Sequence, residues 1–87
     1  KKNWQKKIPA VTHTDGTGRI QTVSKSTNLN FYKYIEEFYK ITNIPILLNT
    51  SFNVNGEPIV MTPEDAIRTY YSCGLDILIL DKFVITK

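Results

Sequence analysis

The chain has one cysteine and one histidine among its 87 residues, and each shortage excludes something. Cys73 alone cannot close an internal disulfide. Cys73 and His13 are too few for a typical zinc site, so no metal ligands are expected here. A Ser-His-Asp arrangement would have to use His13. No phosphate-binding loop of the Gly-rich Lys-Ser/Thr type is present. A self-contained hydrolase is therefore not expected. The longest apolar runs, Ile44 to Leu48 and Ile77 to Leu80, are far too short to cross a bilayer. No charged, apolar, small-residue leader pattern is present. The expectation is a cytoplasmic protein without membrane contact.

What is there reads as one small folded domain. A 41% hydrophobic, 22% charged composition is ordinary for a folded domain and excludes intrinsic disorder. A chain of this length buries only about 60–65% of its unfolded surface. With no disulfide or metal to compensate, a piece of something larger, or an oligomer, is expected. A first residue other than Met points the same way. The net charge is +3. Four lysines (Lys1, Lys2, Lys6, Lys7) fall in the first seven residues, so 1–7 reads as a basic tail or linker and 8–87 as the domain. Such a tail is usually solvated, and nucleic-acid contact is not expected of it.

Residues 8–13 read as a strand and 19–24 as its return. Asp15-Gly16 between them is a two-residue hairpin signal, because a type I′ turn needs positive φ at both central positions. In that register Thr12 lies opposite Arg19 and Val11 opposite Ile20. A helix follows from about Leu29 to Thr42, with Asn28 as N-cap. Phe31, Tyr34, Ile35, Phe38 and Ile41 recur at helical spacing on one face. Asn43-Ile44-Pro45 ends it. Ile46-Leu47-Leu48 reads as a short strand buried on both faces, and Ile59-Val60-Met61 as a short return. Thr62-Pro63-Glu64-Asp65 is a strong helix start. That helix runs to about Cys73, with Gly74 placed to cap it. Asp76 to Leu80 reads as a buried strand and Phe83 to Ile85 as a last one. Strands alternating with two helices predict an α/β class, with α+β as the variant, built on a small mixed sheet.

Two places can carry chemistry. The segment Asn49 to Pro58 leaves the end of an apolar strand, where α/β folds bind ligands. Asn49, Ser51 and Asn53 are spaced by two, so extended backbone points them to one side. They suit phosphate oxygens or a metal-bound water. The competing reading is a structural turn bent at Asn55-Gly56. The second place is Arg19, with Gln21 and Thr12 on the same hairpin face. Arginine offers planar paired donors for phosphate or carboxylate; the competing reading is a surface cross-strand arginine. His13 reads either as a satisfied histidine or as a site residue. Cys73 lies near a helix C-terminus, which disfavours the thiolate a nucleophile needs.

Two long motifs resemble a known family. Pro9-Ala10-Val11-Thr12-His13-Thr14-Asp15-Gly16-Thr17-Gly18-Arg19-Ile20-Gln21-Thr22-Val23 resembles the P-A-x-T-H-x-D-G-T-x-R-x-Q-T-V stretch of the NodU/CmcH O-carbamoyltransferases. Leu47-Leu48-Asn49-Thr50-Ser51-Phe52-Asn53, then Gly56-Glu57-Pro58-Ile59-Val60 and Thr62-Pro63-Glu64-Asp65-Ala66, resembles that family's L-L-N-T-S-F-N-x-x-G-E-P-I-V-x-T-P-x-D-A. A more distant resemblance joins Thr50 to Pro58 to the T-S-A-N-x-S-G-E-P signature of YrdC-like threonylcarbamoyl-adenylate synthases, with Phe52 in place of the alanine. Leu75 to Asp81 matches the V-D-L-I-L-D strand that follows it.

The resemblance implies the C-terminal part of a YrdC-like domain in a larger enzyme. That domain makes carbamoyl-adenylate from carbamoyl phosphate and ATP, with magnesium, and releases pyrophosphate. An N-terminal domain carrying iron, absent here, then moves the carbamoyl group to a hydroxyl acceptor. The serine and asparagine that line the nucleotide pocket in YrdC-like proteins fall on Ser51 and Asn53. Arg19, Asn49 and His13 join them as expected substrate- and nucleotide-binding residues; no catalytic residue is assigned. The 87 residues alone are expected to be inactive. The competing readings are a non-catalytic RNA-binding module of YrdC-like fold and a self-association unit that dimerises through uncovered strand edges.

Overall fold

In the computed structural model, which describes residues 1–87, the elements in order are α1 (Lys2–Gln5), a 3-10 turn (Pro9–Val11), α2 (Leu29–Thr42), α3 (Pro63–Ser72), β1 (Ile77–Leu80) and β2 (Phe83–Thr86). This is a small mixed α/β architecture whose sheet is one antiparallel pair. The chain divides into two units, Lys1–Asn49 and Thr50–Lys87.

The second unit owns the buried core. Its helix starts where the residues dictate: Thr62 Oγ1 accepts from the Asp65 amide at 3.1 Å, and Pro63 takes the first helical position. That satisfies one of the orphan amides of the first turn. Ala66, Thr69 and Tyr70 recur at three- and four-residue spacing and are the buried residues of α3. Leu78 of β1 completes the core, and Phe52, Val60, Leu80 and Ile85 pack against it. Tyr70 is wholly buried, and its phenol donates to the Asp76 carbonyl at 3.0 Å, tying the helix to the entry of β1. Burial pushes that phenol's pKa up, and the neighbouring Tyr71 and Asp76 push it further.

Ile77 pairs with Thr86, and Leu80 with Phe83, across a two-residue turn in which Asp81 takes a positive φ of 54°. Only one face of β1 is covered. Leu78 is buried, whereas Ile77 and Ile79 are about half exposed, at 55% and 47%. The expected buried strand is thus covered on one face only. Nor does Gly74 cap α3. Cys73 ends the helix in extended backbone at φ −138°, and Gly74 has no positive φ. The last turn is instead satisfied by side chains. Ser72 Oγ and Cys73 Sγ both donate to the Thr69 carbonyl at 3.0 Å, and Lys87 Nζ donates to that of Cys73.

The first unit is built on α2, capped as its sequence predicts. Asn28 Oδ1 accepts from the Phe31 amide at 3.1 Å. Asn43 ends the helix in the left-handed region, φ 60°, its amide donating to the Tyr39 carbonyl at 2.7 Å. No residue of this unit is buried. Phe31 and Ile35 are half-buried, while Ile41, on the same apolar stripe, is 84% exposed.

Four expected strands do not form. Within residues 8–13 the Pro9–Val11 turn takes the donors: Val11 N–H bonds Ile8 C=O and Thr12 N–H bonds Pro9 C=O, both at 3.2 Å, and Pro9 has no N–H to give. Residues 19–24 and Ile46 to Leu48 have no ladder partner, and Leu48 is 64% exposed. Ile59 to Met61 makes one bond of the expected kind, Val60 N–H to Phe52 C=O at 2.9 Å.

The exposed surface of the chain is 7708 Å². A compact monomer of its 10.0 kDa mass would expose about 5,200 Å², and even two separate compact bodies of half that mass about 6,300 Å². The units therefore leave apolar surface uncovered on their own account. In this chain, Leu78→Ala is expected to cost about 2–5 kcal/mol, the range for a buried leucine. Ile79→Ala, on the other face of the same strand, is expected to cost under about 1 kcal/mol. Urea denaturation midpoints of the two variants check this, and equal costs would place the core on the wrong face.

Candidate functional site

The Thr14–Gly16 bend is held by its own side chains. The His13 amide donates to the Thr17 carbonyl at 2.7 Å, and the Gly16 amide to the His13 carbonyl at 2.9 Å. Asp15 Oδ1 accepts from both the amide of Thr17, at 2.9 Å, and its hydroxyl, at 2.7 Å. These two bonds, the hydroxyl's first, hold the Asp15 carboxyl below its ordinary pKa. Gly16 has φ +82°, but Asp15 does not have positive φ. The expected type I′ turn is thus replaced by a three-residue loop with its left-handed position at Gly16. The closing pair becomes His13 and Thr17, which displaces the expected register and removes the Thr12–Arg19 pairing.

The supposed tail takes part in this construction. Gln5, at the end of α1, donates from Nε2 to the Gly16 carbonyl at 3.0 Å. A Cβ on Gly16 would lie 2.7 Å from that same Nε2, so glycine is required by close approach as well as by φ. Trp4 and Gln5 line one cavity of about 590 Å³ with His13, Arg19, Gln21 and Asn49. Lys7 Nζ stands 5.1 Å from the centroid of the Trp4 ring. Sequence reasoning missed Trp4 and Gln5. The available signal was the four-residue spacing of Trp4 and Ile8, one helical face within the lysine-rich segment.

Three of the five expected site residues, His13, Arg19 and Asn49, therefore line one cavity in the first unit. Arg19 is exposed, and neither salt bridge of the chain uses it. An exposed guanidinium with all its donors free at the mouth of a cavity is a ready site for an oxyanion. Asn49 Nδ2 donates to Gln21 Oε1 at 3.3 Å.

Ser51 and Asn53 lie in the second unit. Their side chains meet as the two-residue spacing predicts, Ser51 Oγ donating to Asn53 Oδ1 at 2.6 Å. Asn53 Nδ2 donates to the carbonyls of Glu57 at 3.0 Å and Val54 at 3.3 Å. Glu57 N–H to Val54 C=O, 3.0 Å, closes the turn over Asn55-Gly56. Asn53 is thus the clasp of its own loop, and the Ser51 hydroxyl keeps lone pairs for a ligand. No three His, Cys, Asp or Glu side chains gather as a metal site. No helix is long and apolar enough to cross a membrane.

A family model described as carbamoyltransferase C-terminus matches residues 1–87. The chain is 51% identical over 80 residues to nodulation protein NolO of Bradyrhizobium diazoefficiens, covering 92% of this chain and 15% of that protein. It is 49% identical over 80 residues to an uncharacterized protein of Synechocystis, covering 92% and 13%. Nodulation protein U of Sinorhizobium fredii is 45% identical over 53 residues, covering 61% and 10%. The chain thus spans about one-seventh of the length of the first two relatives.

The turn geometry makes two predictions. Gly16→Ala is expected to destabilise more than Gly56→Ala. Both replace a glycine of positive φ, at +82° and +85°, which costs about 1–2 kcal/mol, but only Gly16 has a neighbour in the way. Thermal melting of the two variants decides it. Asp15 titrates below its ordinary 3.8, so its contribution to the turn is full above that value. It is lost as pH falls through the lower folded-state pKa. Thr17→Val removes the larger cause and is expected to move the Asp15 carboxyl up, as followed by NMR titration; an unchanged midpoint would refute the assignment.

Proposed function

This chain belongs to the carbamoyltransferase C-terminus family, and from that premise we propose that it supplies part of the ATP and carbamoyl phosphate site of a longer O-carbamoyltransferase. The observation that carries the reading is the unpaired Arg19 at a cavity it shares with His13, Gln21 and Asn49. Both substrates are phosphate-bearing anions, and forming carbamoyl-adenylate consists mostly of holding and neutralising them. The carbamoyl oxygen joins the α-phosphorus, and the bond to the leaving pyrophosphate breaks. The phosphate of carbamoyl phosphate departs with water. No step requires a nucleophilic side chain from this chain.

Arg19 neutralises phosphate charge through its planar donors. The amides of the same cavity add neutral hydrogen bonds, and in the second unit Asn53 holds the loop that presents the Ser51 hydroxyl. Magnesium fits as a companion of the nucleotide phosphates. The cavity is lined by the cations Lys1 and Arg19 and by neutral polar groups, with no carboxylate, which suits the oxyanions of the complex better than the bare ion. The rest of the polypeptide supplies the iron-bearing domain, the acceptor site and the cover for the apolar surface this chain leaves exposed; a second copy of the chain is the alternative cover.

The full-length protein is expected to release pyrophosphate from ATP only when carbamoyl phosphate is present. Arg19→Ala is expected to lower kcat/KM about 10- to 100-fold, the size of a lost charge-assisted contact, with Arg19→Lys in between. Pyrophosphate release by the wild type that ignores carbamoyl phosphate would overturn the reading.

A further inference from the structure

One side-chain pair in the chain is not local. Every other hydrogen bond between two side chains joins residues two or three positions apart. Asn49 and Gln21 join across 28 positions. Both are exposed, and both line the cavity that holds Arg19. Capping and turn chemistry, which explain the local pairs, do not explain this one.

The pair leaves a specific set of groups free. A primary amide carries two N–H donors and a carbonyl with two lone pairs. The one bond, from Asn49 Nδ2 to Gln21 Oε1, uses one donor of Asn49 and one lone pair of Gln21. Gln21 Nε2 and Asn49 Oδ1 take no part in it. The two amides therefore offer a free donor and a free acceptor on adjacent groups, both neutral.

From this juxtaposition we infer that Gln21 and Asn49 together recognise the carbamoyl group itself, Gln21 Nε2 donating to its carbonyl oxygen and Asn49 Oδ1 accepting from its NH₂. The inference rests on the carbamoyl phosphate reading above and adds the residues that set its selectivity. A carbamoyl group is a planar H₂N–C=O unit, with donor and acceptor side by side. Acetyl phosphate has the same phosphate and the same carbonyl but a methyl where the NH₂ stands. Arg19 holds both phosphates alike, so a cation alone cannot tell the two apart. The amide pair can, because the methyl leaves Asn49 Oδ1 without a partner, and a site built to hydrogen-bond a donor rejects the analogue that lacks it.

The test uses the full-length protein. Pyrophosphate release gives KM for carbamoyl phosphate and, with acetyl phosphate as competitor, its inhibition constant. Gln21→Met and Asn49→Leu keep side-chain volume and remove the amides. Asn49→Leu is expected to raise KM for carbamoyl phosphate at least about tenfold while the acetyl phosphate constant stays within about twofold, so that the ratio collapses; Gln21→Met, which loses a donor to the carbonyl the two compounds share, is expected to raise both constants together. A variant merely damaged in folding lowers kcat without moving this ratio; where turnover is lost, calorimetric affinities for the two compounds replace KM. If Asn49→Leu raises both constants together, or moves neither, the pair does not read the carbamoyl group and the inference fails while the carbamoyl phosphate reading stands. A wild type indifferent to carbamoyl phosphate removes the reading and the inference with it.

Discussion

Backbone amides and carbonyls must find partners, and this chain owns a single strand ladder with which to satisfy them. β1 and β2 pair only with each other. Two helices of ten and fourteen residues satisfy their own backbone, with Asn28, Asn43 and Thr62 closing their ends. The rest of the chain is held by scattered backbone turns and by side chains that bond the backbone. Asp15 fixes the bend before Arg19, Asn53 the loop after Ser51, and Gln5 the carbonyl of Gly16. The bond from Tyr70 to Asp76 joins the one buried helix to the one ladder.

The same constraint explains why so much apolar surface remains. Ile46 to Leu48 is a continuous apolar segment whose backbone has no neighbouring strand in this chain. Ile77, Ile79 and Val84 share the uncovered face of the hairpin. A sheet with two apolar faces belongs in the middle of a layered structure, and an edge left open invites another strand. The chain spans about one-seventh of the length of these relatives.

Features governed by neighbours in sequence were legible in it. The caps at Asn28 and Thr62, the helix starts, the stop at Asn43 and the last two strands are all local chemistry. Features governed by distant partners were not. The 46–48 segment reads as an apolar strand, yet a strand requires a partner and this segment has none in the chain. The turn at Asp15-Gly16 was located but mistyped, because the Asp15 carboxylate bonds Thr17 and does not take the positive φ of a type I′ turn. Gly74 sits where a capping glycine belongs, yet Ser72 and Cys73 satisfy the helix end first. Of the cavity lining, Arg19 and Asn49 were singled out by residue type and spacing, and His13 by the motif it stands in. Trp4 and Gln5 were hidden by the lysines around them, and the closeness of Gln21 to Asn49 depends on a fold over 28 residues that no spacing rule reaches.

The site residues divide by the kind of recognition they can perform. A guanidinium attracts any phosphate strongly and reads little beyond charge and planarity. Amides bind more weakly, but their donors and acceptors are ordered in space and report the identity of a neutral group. Arg19, like Lys1, is a cation lining the cavity that takes part in neither ion pair, and Gln21 and Asn49 are amides of the same cavity, joined to each other and carrying no charge. An exposed amide pair at 3.3 Å contributes little to holding a chain together, since water competes for both partners. Gln21 Nε2 and Asn49 Oδ1 stay free in the cavity that Arg19 also lines, and a ligand that excludes water there makes each of them count for more.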